Sequence, residues 1–507
     1  MHLVFPYITI FTPTMMETRT PPLDRKTRLG ITPAAVLLLG IVILAASLRL
    51  LALDSLGFAN HYYSAAVESM LQSWHNFFFV AAEPGGSVSV DKPPLGLWLQ
   101  VISAYIFGVN GFAMLLPQIV AGILSVVVLY HLVRRWFGSG AGLLAAIALA
   151  VSPVAIATDR NNTMDSTLIL ALLLAAWAFI KATQSGRLHF VLLGAFLVGI
   201  AFNVKMLQAF LPLPAFYALY LLGSPERLWR KLLNLLLASL LLAVVALSWA
   251  LAVDLTPADQ RPYVGSSTDN TVTQLITGHN GIVRLLGRDG SLGSQPNNPR
   301  LGNRPVQQPG QVQPPAANQP PRRTPQPAQP QSPGSIQQPG QPQLPLQPGA
   351  QNRPRQAAAG TGGMGVPGVF RLFSMPLDNE SAWFLPFGLF SILLLAFGKR
   401  LRWPLDRQRQ ALVLWGGWAL TAIVFFSCAE FFHEYYLTML AAPLAALLGI
   451  GFAELWRLGQ SRPRLAAILA AVSTGLALGV QCLTASRYLP DLAWLVQGTP
   501  AFDAYVR

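Results

Sequence analysis

The stretch "VSVDKPPLGLW" (88–98) sets an acid, Asp91, beside a base, Lys92, and follows them with Pro93 and Pro94 at the edge of an apolar run. A carboxylate next to an ammonium can move a proton or hold an anionic group, and both uses need the pair aimed. The prolines supply the aim, because each fixes its own φ and disfavours helix at the residue before it. A stiff turn entering a helix would explain the prolines and leave the charged pair unexplained. Other ionisable residues stand in similar places. "TDRNNTMDS" (158–166) holds Asp159, Arg160 and Asp165, and "NVKMLQAF" holds Lys205. His279 lies in "LITGHNG", and "AEFFHEYYLTML" (429–440) carries His433 and Glu434, with Tyr435 and Tyr436 expected as interfacial rings.

The elements that must position these groups are apolar runs. Charged residues make up only 11% of the chain and hydrophobic ones 53%, well away from the composition of a soluble domain. About 20 apolar residues cross a bilayer as a helix. On that measure the spans are 31–53, 112–133, 141–157, 166–180, 188–203, 206–222, 232–253, 383–398, 410–427, 435–455 and 465–485. The expected fold is therefore an all-α polytopic membrane protein of about 11 transmembrane helices. With the N-terminus inside, every short inner connection is basic, for example Arg134/Arg135, Lys181/Arg187 and Arg227/Arg230/Lys231. This satisfies the positive-inside rule. The formal charge of +14 thus sets orientation, and nucleic acid is not an expected partner.

That orientation makes 1–30 a cytoplasmic tail and puts the first external loop, 54–111, on the outer side. A membrane core runs over 31–290, an external segment and further spans over 360–485, and an external tail over 486–507. Between them, 291–359 is rich in Gln, Pro and Asn, a composition that cannot bury a core and reads as a disordered external insertion. "GTGGMG" (360–365) matches G-x-G-x-x-G in letters only, since no strand precedes it. Cys428 and Cys482 are expected as buried membrane thiols rather than a disulfide.

Acids and bases gathered at an outer membrane face form a polar cavity where charge is otherwise costly. Activated groups available there ride on isoprenoid phosphates. A transferase using them needs a base for the acceptor's proton, cations for the departing lipid phosphate and an apolar groove for the tail. The sequence offers all three. A transporter or flippase for a lipid-linked sugar is the first alternative, but no internal repeat is visible. A non-catalytic scaffold for cell-envelope partners is the second.

At these same residues the chain resembles the bacterial members of the protein O-mannosyltransferase and aminoarabinose-transferase superfamily, the GT-C glycosyltransferases. "VDKPPLGLW" matches their acid-Lys-Pro-Pro motif, with "FG" (Phe107-Gly108) after it. "NNTMDSTLILALLLAAW" matches their second external loop, and "NVKMLQAFLPLPAF" resembles the turn whose Lys faces the lipid phosphate. "ANHYYSAAVESMLQSWHNFFF" (59–79), "TDNTVTQLITGHNGIVRLLG" and "GVFRLFSMPL" resemble a subgroup of bacterial homologues. The likeness covers about 31–460 without the insertion.

It implies a GT-C-like bundle in a bacterial plasma membrane, with the site facing the periplasm or exterior. The implied reaction moves a sugar, with inversion, from a polyprenyl-phosphate donor to a hydroxyl of a protein, glycan or lipid acceptor. Asp91 or Asp165 would be catalytic, and Lys92, Arg160 and Lys205 would hold the donor phosphate. A divalent metal on Asp91 with His279 or His433 is one option the residue types leave open. The family's early acidic pair is absent: Ala59, Asn60 and His61 stand there. The base is then sought among Asp91, Asp165 and His61, with Glu434 a further ionisable neighbour.

Overall fold

The structure is a computed structural model that describes residues 22–25, 30–282, 364–381, 383–396 and 403–496. The insertion at 291–359 and most of "GTGGMG" lie outside the described residues. The chain is an all-α membrane protein, as its composition implies. Its first twelve α-helices are α1 (Pro33–Leu50), α2 (His61–Met70), α3 (Trp74–Phe78), α4 (Pro94–Phe107), α5 (Gly111–Phe137), α6 (Ser139–Ala150), α7 (Pro153–Asp159), α8 (Asp165–Ser185), α9 (Leu188–Lys205), α10 (Leu213–Gly223), α11 (Leu228–Asp254) and α12 (Val272–Thr277). Their starts follow local chemistry. Thr32 caps α1 with Pro33 at its first position, and Asn110 caps α5 by accepting from the Ala113 N–H.

The span count differs from the expected eleven. Among the described residues, eight helices are long and apolar enough to cross a membrane, and α6 with α7, bent by 58°, makes a ninth. The bend falls where Pro153 restarts the helix. The other two expected spans, α10 and Leu385–Ala396, are 11 and 12 residues long. At 1.5 Å per residue α10 reaches about 17 Å, short of the hydrocarbon core, while Leu385–Ala396 runs to the edge of the described residues. The final helix runs Pro463–Val496, so the tail expected from 486 is helical in its first part.

Glu434–Ser461 is the most enclosed span and Pro463–Arg487 the least. The former packs against α6, and α5, α8, α9 and α11 build outward from there. Exposed side chains such as Leu39 and Val244 form the apolar perimeter. Cys428 and Cys482 are free thiols on the outer faces of their helices and form no disulfide. Asp24, in the N-terminal tail, accepts from Arg134 (2.9 Å) and Ser139 (2.6 Å), fastening that tail to the inner ends of α5 and α6.

A buried ion pair locks α1 to α7. Arg49 donates to Asp159 at 2.6 Å and to the carbonyls of Ala45 and Ala150 at 3.1 Å. Room for the Asp159 carboxylate exists because residue 122 lacks a side chain; a Cβ there would lie 2.1 Å from Asp159 Oδ2.

On the expected outer side the loops are tied together. Backbone bonds join Val90 to Val80 and both Ser87 and Ser89 to Tyr263, so the 263–282 segment lies against the strand-like stretch leading to Asp91. Indole N–H groups of Trp98 and Trp249 donate to Phe77 and Phe78 carbonyls, holding α3 against α4 and α11. Asn60 caps α2 through the Tyr62 and Tyr63 N–H groups and exchanges bonds with Asn162.

Candidate active site

Four short stretches converge on one cavity of about 230 Å³. Lys92 and Pro93 come from the first external loop, Lys205 to Leu211 from the end of α9 and its turn, and Asn280 and Gly281 from the turn after α12. Phe425, Phe431, Phe432 and Tyr436 close the apolar side.

The acid-base pair that opens the cavity is local. Lys92 Nζ lies 2.5 Å from Asp91 Oδ2, and both side chains are largely buried. Pro93 is extended and Pro94 starts α4, so the pair stands at a rigid helix entrance. Its depth is set by α4 packing on the second external loop: a Cβ on Gly96 would meet Met164 at 2.3 Å. His279 Nε2 faces the same Asp91 oxygen at 3.5 Å, the outer limit of a hydrogen bond. The turn bearing it is pinned by Asn280, whose amide donates to the Asp91 carbonyl and to Met206 Sδ. Burial raises the Asp91 carboxyl, but the His279 contact and the Lys92 charge outweigh it and hold it well below the usual carboxylate range.

The second pair is made by tertiary structure. Asp165 is the first residue of α8 and Lys205 the last of α9. The hairpin turn at Gly186 (φ +67°) brings these two helix ends together. An acid at an N-terminus and a base at a C-terminus also complement the helix dipoles. Lys205 Nζ bonds both Asp165 oxygens, at 2.6 and 2.5 Å. It sits 3.7 Å from the centre of the Tyr436 ring and 4.8 Å from that of Tyr435. The helix stops there because Met206 takes φ +45°, a costly conformation for a side-chain-bearing residue that persists only where contacts enforce it.

Two tyrosines that the sequence reading passed over belong to this group. Partial burial and the Asp91 carboxylate push the Tyr62 phenol up to about 12. Burial and Asp91, with Tyr436 and Asp165 behind them, push Tyr63 up as well. Both remain neutral hydroxyls beside the Asp91 carboxylate. The signal available was their place in α2, whose capping residue fills the expected acidic position.

The family model for dolichyl-phosphate-mannose-protein mannosyltransferases matches residues 91–249. Two proteins of Bacillus subtilis (strain 168), provisionally named as the mannosyltransferases YycA and YkcB, are 38% and 40% identical over 79% and 80% of this chain. The chain spans 61% and 60% of their lengths. The crystal structure of ArnT from Cupriavidus metallidurans bound to undecaprenyl phosphate superposes with a TM-score of 0.53 at 18% identity, over 92% of this chain and 66% of that one. The chain shares the fold of that ArnT structure, and its family match covers the stretch from Asp91 into α11.

The expected site residues separate into two sets. Asp91, Lys92, Lys205, Asp165 and His279 come together at or beside the cavity. Arg160 does not line it: its guanidinium donates to the carbonyls of Leu48 and Leu51, closing the end of α1. That duty replaces its expected phosphate role. His61 is exposed at the first turn of α2. His433 and Glu434 are exposed on the rim, His433 stacked on Tyr435 with ring centres 5.3 Å apart. Tyr435 and Tyr436, expected as interfacial anchors, instead present their faces to Lys205.

Among the described residues no three His, Cys, Asp or Glu side chains gather to hold a metal. Asp91 with His279 makes two ligands at most, and the Lys92 ammonium already occupies the carboxylate. Among the described residues these donors do not complete a divalent-cation site.

Proposed function

We propose that this protein is a glycosyltransferase that moves a sugar from a polyprenyl-phosphate donor to an acceptor hydroxyl at the outer face of a bacterial plasma membrane. The single observation that carries the reading is that two buried lysines, Lys92 and Lys205, line one largely apolar cavity beside Asp91. Ammonium groups suit the lipid phosphate, whose charge rises as the sugar leaves it. Phe425, Phe431 and Phe432 suit the first isoprene units. The Asp91–His279 pair suits the acceptor's proton. The ArnT structure's undecaprenyl phosphate and the mannosyltransferase names of the Bacillus relatives support the donor class.

Attack on the anomeric carbon from the face opposite the phosphate inverts that centre. The test is sugar release from a panel of polyprenyl-phosphate sugars by purified protein in lipid, with Asp91→Asn and Lys205→Ala alongside. Consumption of one donor by the wild type, lost in both variants, is expected. Binding of lipid-linked sugar without turnover of any donor in the panel would refute the proposal and favour a transporter.

A further inference from the structure

We propose that His279 takes the acceptor's proton and that Asp91 acts through it, as the carboxylate that orients the imidazole. This assignment rests on the transferase reading and asks which atom does its acid–base work.

The three ionisable candidates near the cavity differ in what they have left to offer. Asp165 is spent: both its oxygens are bonded by Lys205, and its side chain has no exposure. Asp91 is partly spent. Its Oδ2 holds Lys92 at 2.5 Å and faces His279, and its side chain is 17% exposed. A carboxylate kept this acidic has little appetite for an alcohol's proton at neutral pH. The His279 side chain is the most open, at 32%.

The imidazole is also held in a usable way. Asn280 fastens the turn to the Asp91 carbonyl and to Met206, so His279 is carried on a segment docked against the cavity wall. With Nε2 turned to the Asp91 carboxylate, the favoured neutral tautomer carries its proton there. The lone pair then sits on Nδ1, for which the structure gives no hydrogen bond within the protein. A histidine with one nitrogen on a carboxylate and the other open is the arrangement of a general base.

Among the described residues His279 faces Asp91, which in turn holds Lys92 and lies near Tyr62, while Lys205 lines the same cavity. Neither α12 nor the 206–210 turn adds another charged or titratable group.

The step balances. Nδ1 accepts the acceptor hydroxyl's proton as its oxygen bonds the sugar's anomeric carbon. The bond from that carbon to the phosphate oxygen breaks, and its electron pair leaves with the lipid phosphate, whose added negative charge falls to Lys92 and Lys205. The imidazolium, stabilised by Asp91, afterwards gives its proton to water.

The experiment uses the full chain in lipid, the donor found by the panel above, and His279→Ala with and without added imidazole. We expect kcat to fall by at least about 100-fold and part of it to return with imidazole as the fraction of free base rises. Binding of the polyprenyl phosphate alone should stay unchanged, which reports an intact cavity. The activity lost in Asp91→Asn should not return with added imidazole, because the base itself is still present and only its orienting carboxylate is gone. A His279→Ala protein that keeps more than about a tenth of wild-type kcat, or whose loss imidazole never restores, overturns the assignment and leaves the transferase reading standing. A wild type that releases sugar from no donor overturns both.

Discussion

Replacing Lys205 by Met keeps the bulk of the stem and removes the ammonium. The Asp165 carboxylate, whose side chain has 0% exposure, then loses the partner that held both its oxygens. Breaking a buried pair from one side costs about 3–5 kcal/mol, because the remaining charge is left without compensation. The lost contact with the Tyr436 face, 3.7 Å from the ring centre, adds about 0.5–2 kcal/mol. Adding Asp165→Asn to Lys205→Met removes the stranded charge, so most of the first term should return while the second stays lost. Unfolding of the three proteins in detergent should therefore rank the wild type first, the double variant next, and Lys205→Met last. Donor binding should follow a different order: the double variant regains stability and still lacks the phosphate's cation. A Lys205→Met protein as stable as the wild type, or a double variant no better than Lys205→Met, would refute the coupling deduced from the two helix ends.

Four further outcomes follow from the same geometry. Gly122→Ala should weaken the fold by roughly 3 kcal/mol or more, read by unfolding, since its methyl displaces the buried Asp159 from Arg49. Asn60→Ala should cost about 1 kcal/mol through the lost α2 cap, and Asn60→Asp should keep the cap. Arg160→Gln should lower thermal stability and leave the KM for the lipid donor unchanged, since its bonds go to α1 carbonyls. Asp91 contributes stability that is present above the ordinary carboxylate value of about 3.9 and is lost as pH falls toward its depressed folded value. Asp91→Asn should accordingly flatten the acid side of the stability–pH curve.

Much of the site was legible residue by residue and little of it pair by pair. "VDKPP" announces Asp91 and Lys92 because neighbours in sequence on a proline-stiffened turn cannot be far apart. Lys205 was visible as a charge in a place with little room for a loop. Its partner was not, because nothing in "NVKMLQAF" points to Asp165. Arg160 was misplaced for a related reason: a cation at an outer helix end can serve a phosphate or a neighbouring helix's carbonyls equally well, and only the position of α1 decides. Arg49 passed unremarked inside an apolar run, although a charge in a span is itself a signal. Tyr62 and Tyr63 looked like ordinary ring positions on a short helix until Asp91 was placed beside them.

What the sequence determined alone is what depends on neighbours along the chain. Apolar runs measured against bilayer thickness make this a multi-pass membrane protein, and the basic connections carry its expected orientation. Proline and capping residues start and stop the helices. The tertiary structure decided what depends on neighbours in space. It shortened one expected span to a half-length helix, α10, and bent another. It joined Asp165 to Lys205 and Arg49 to Asp159, 40 and 110 residues apart, and carried His279 across to Asp91. The physical reason is one of range. Hydropathy and backbone preference act over a few residues, whereas a buried charge must find its counter-charge wherever helix packing happens to bring one.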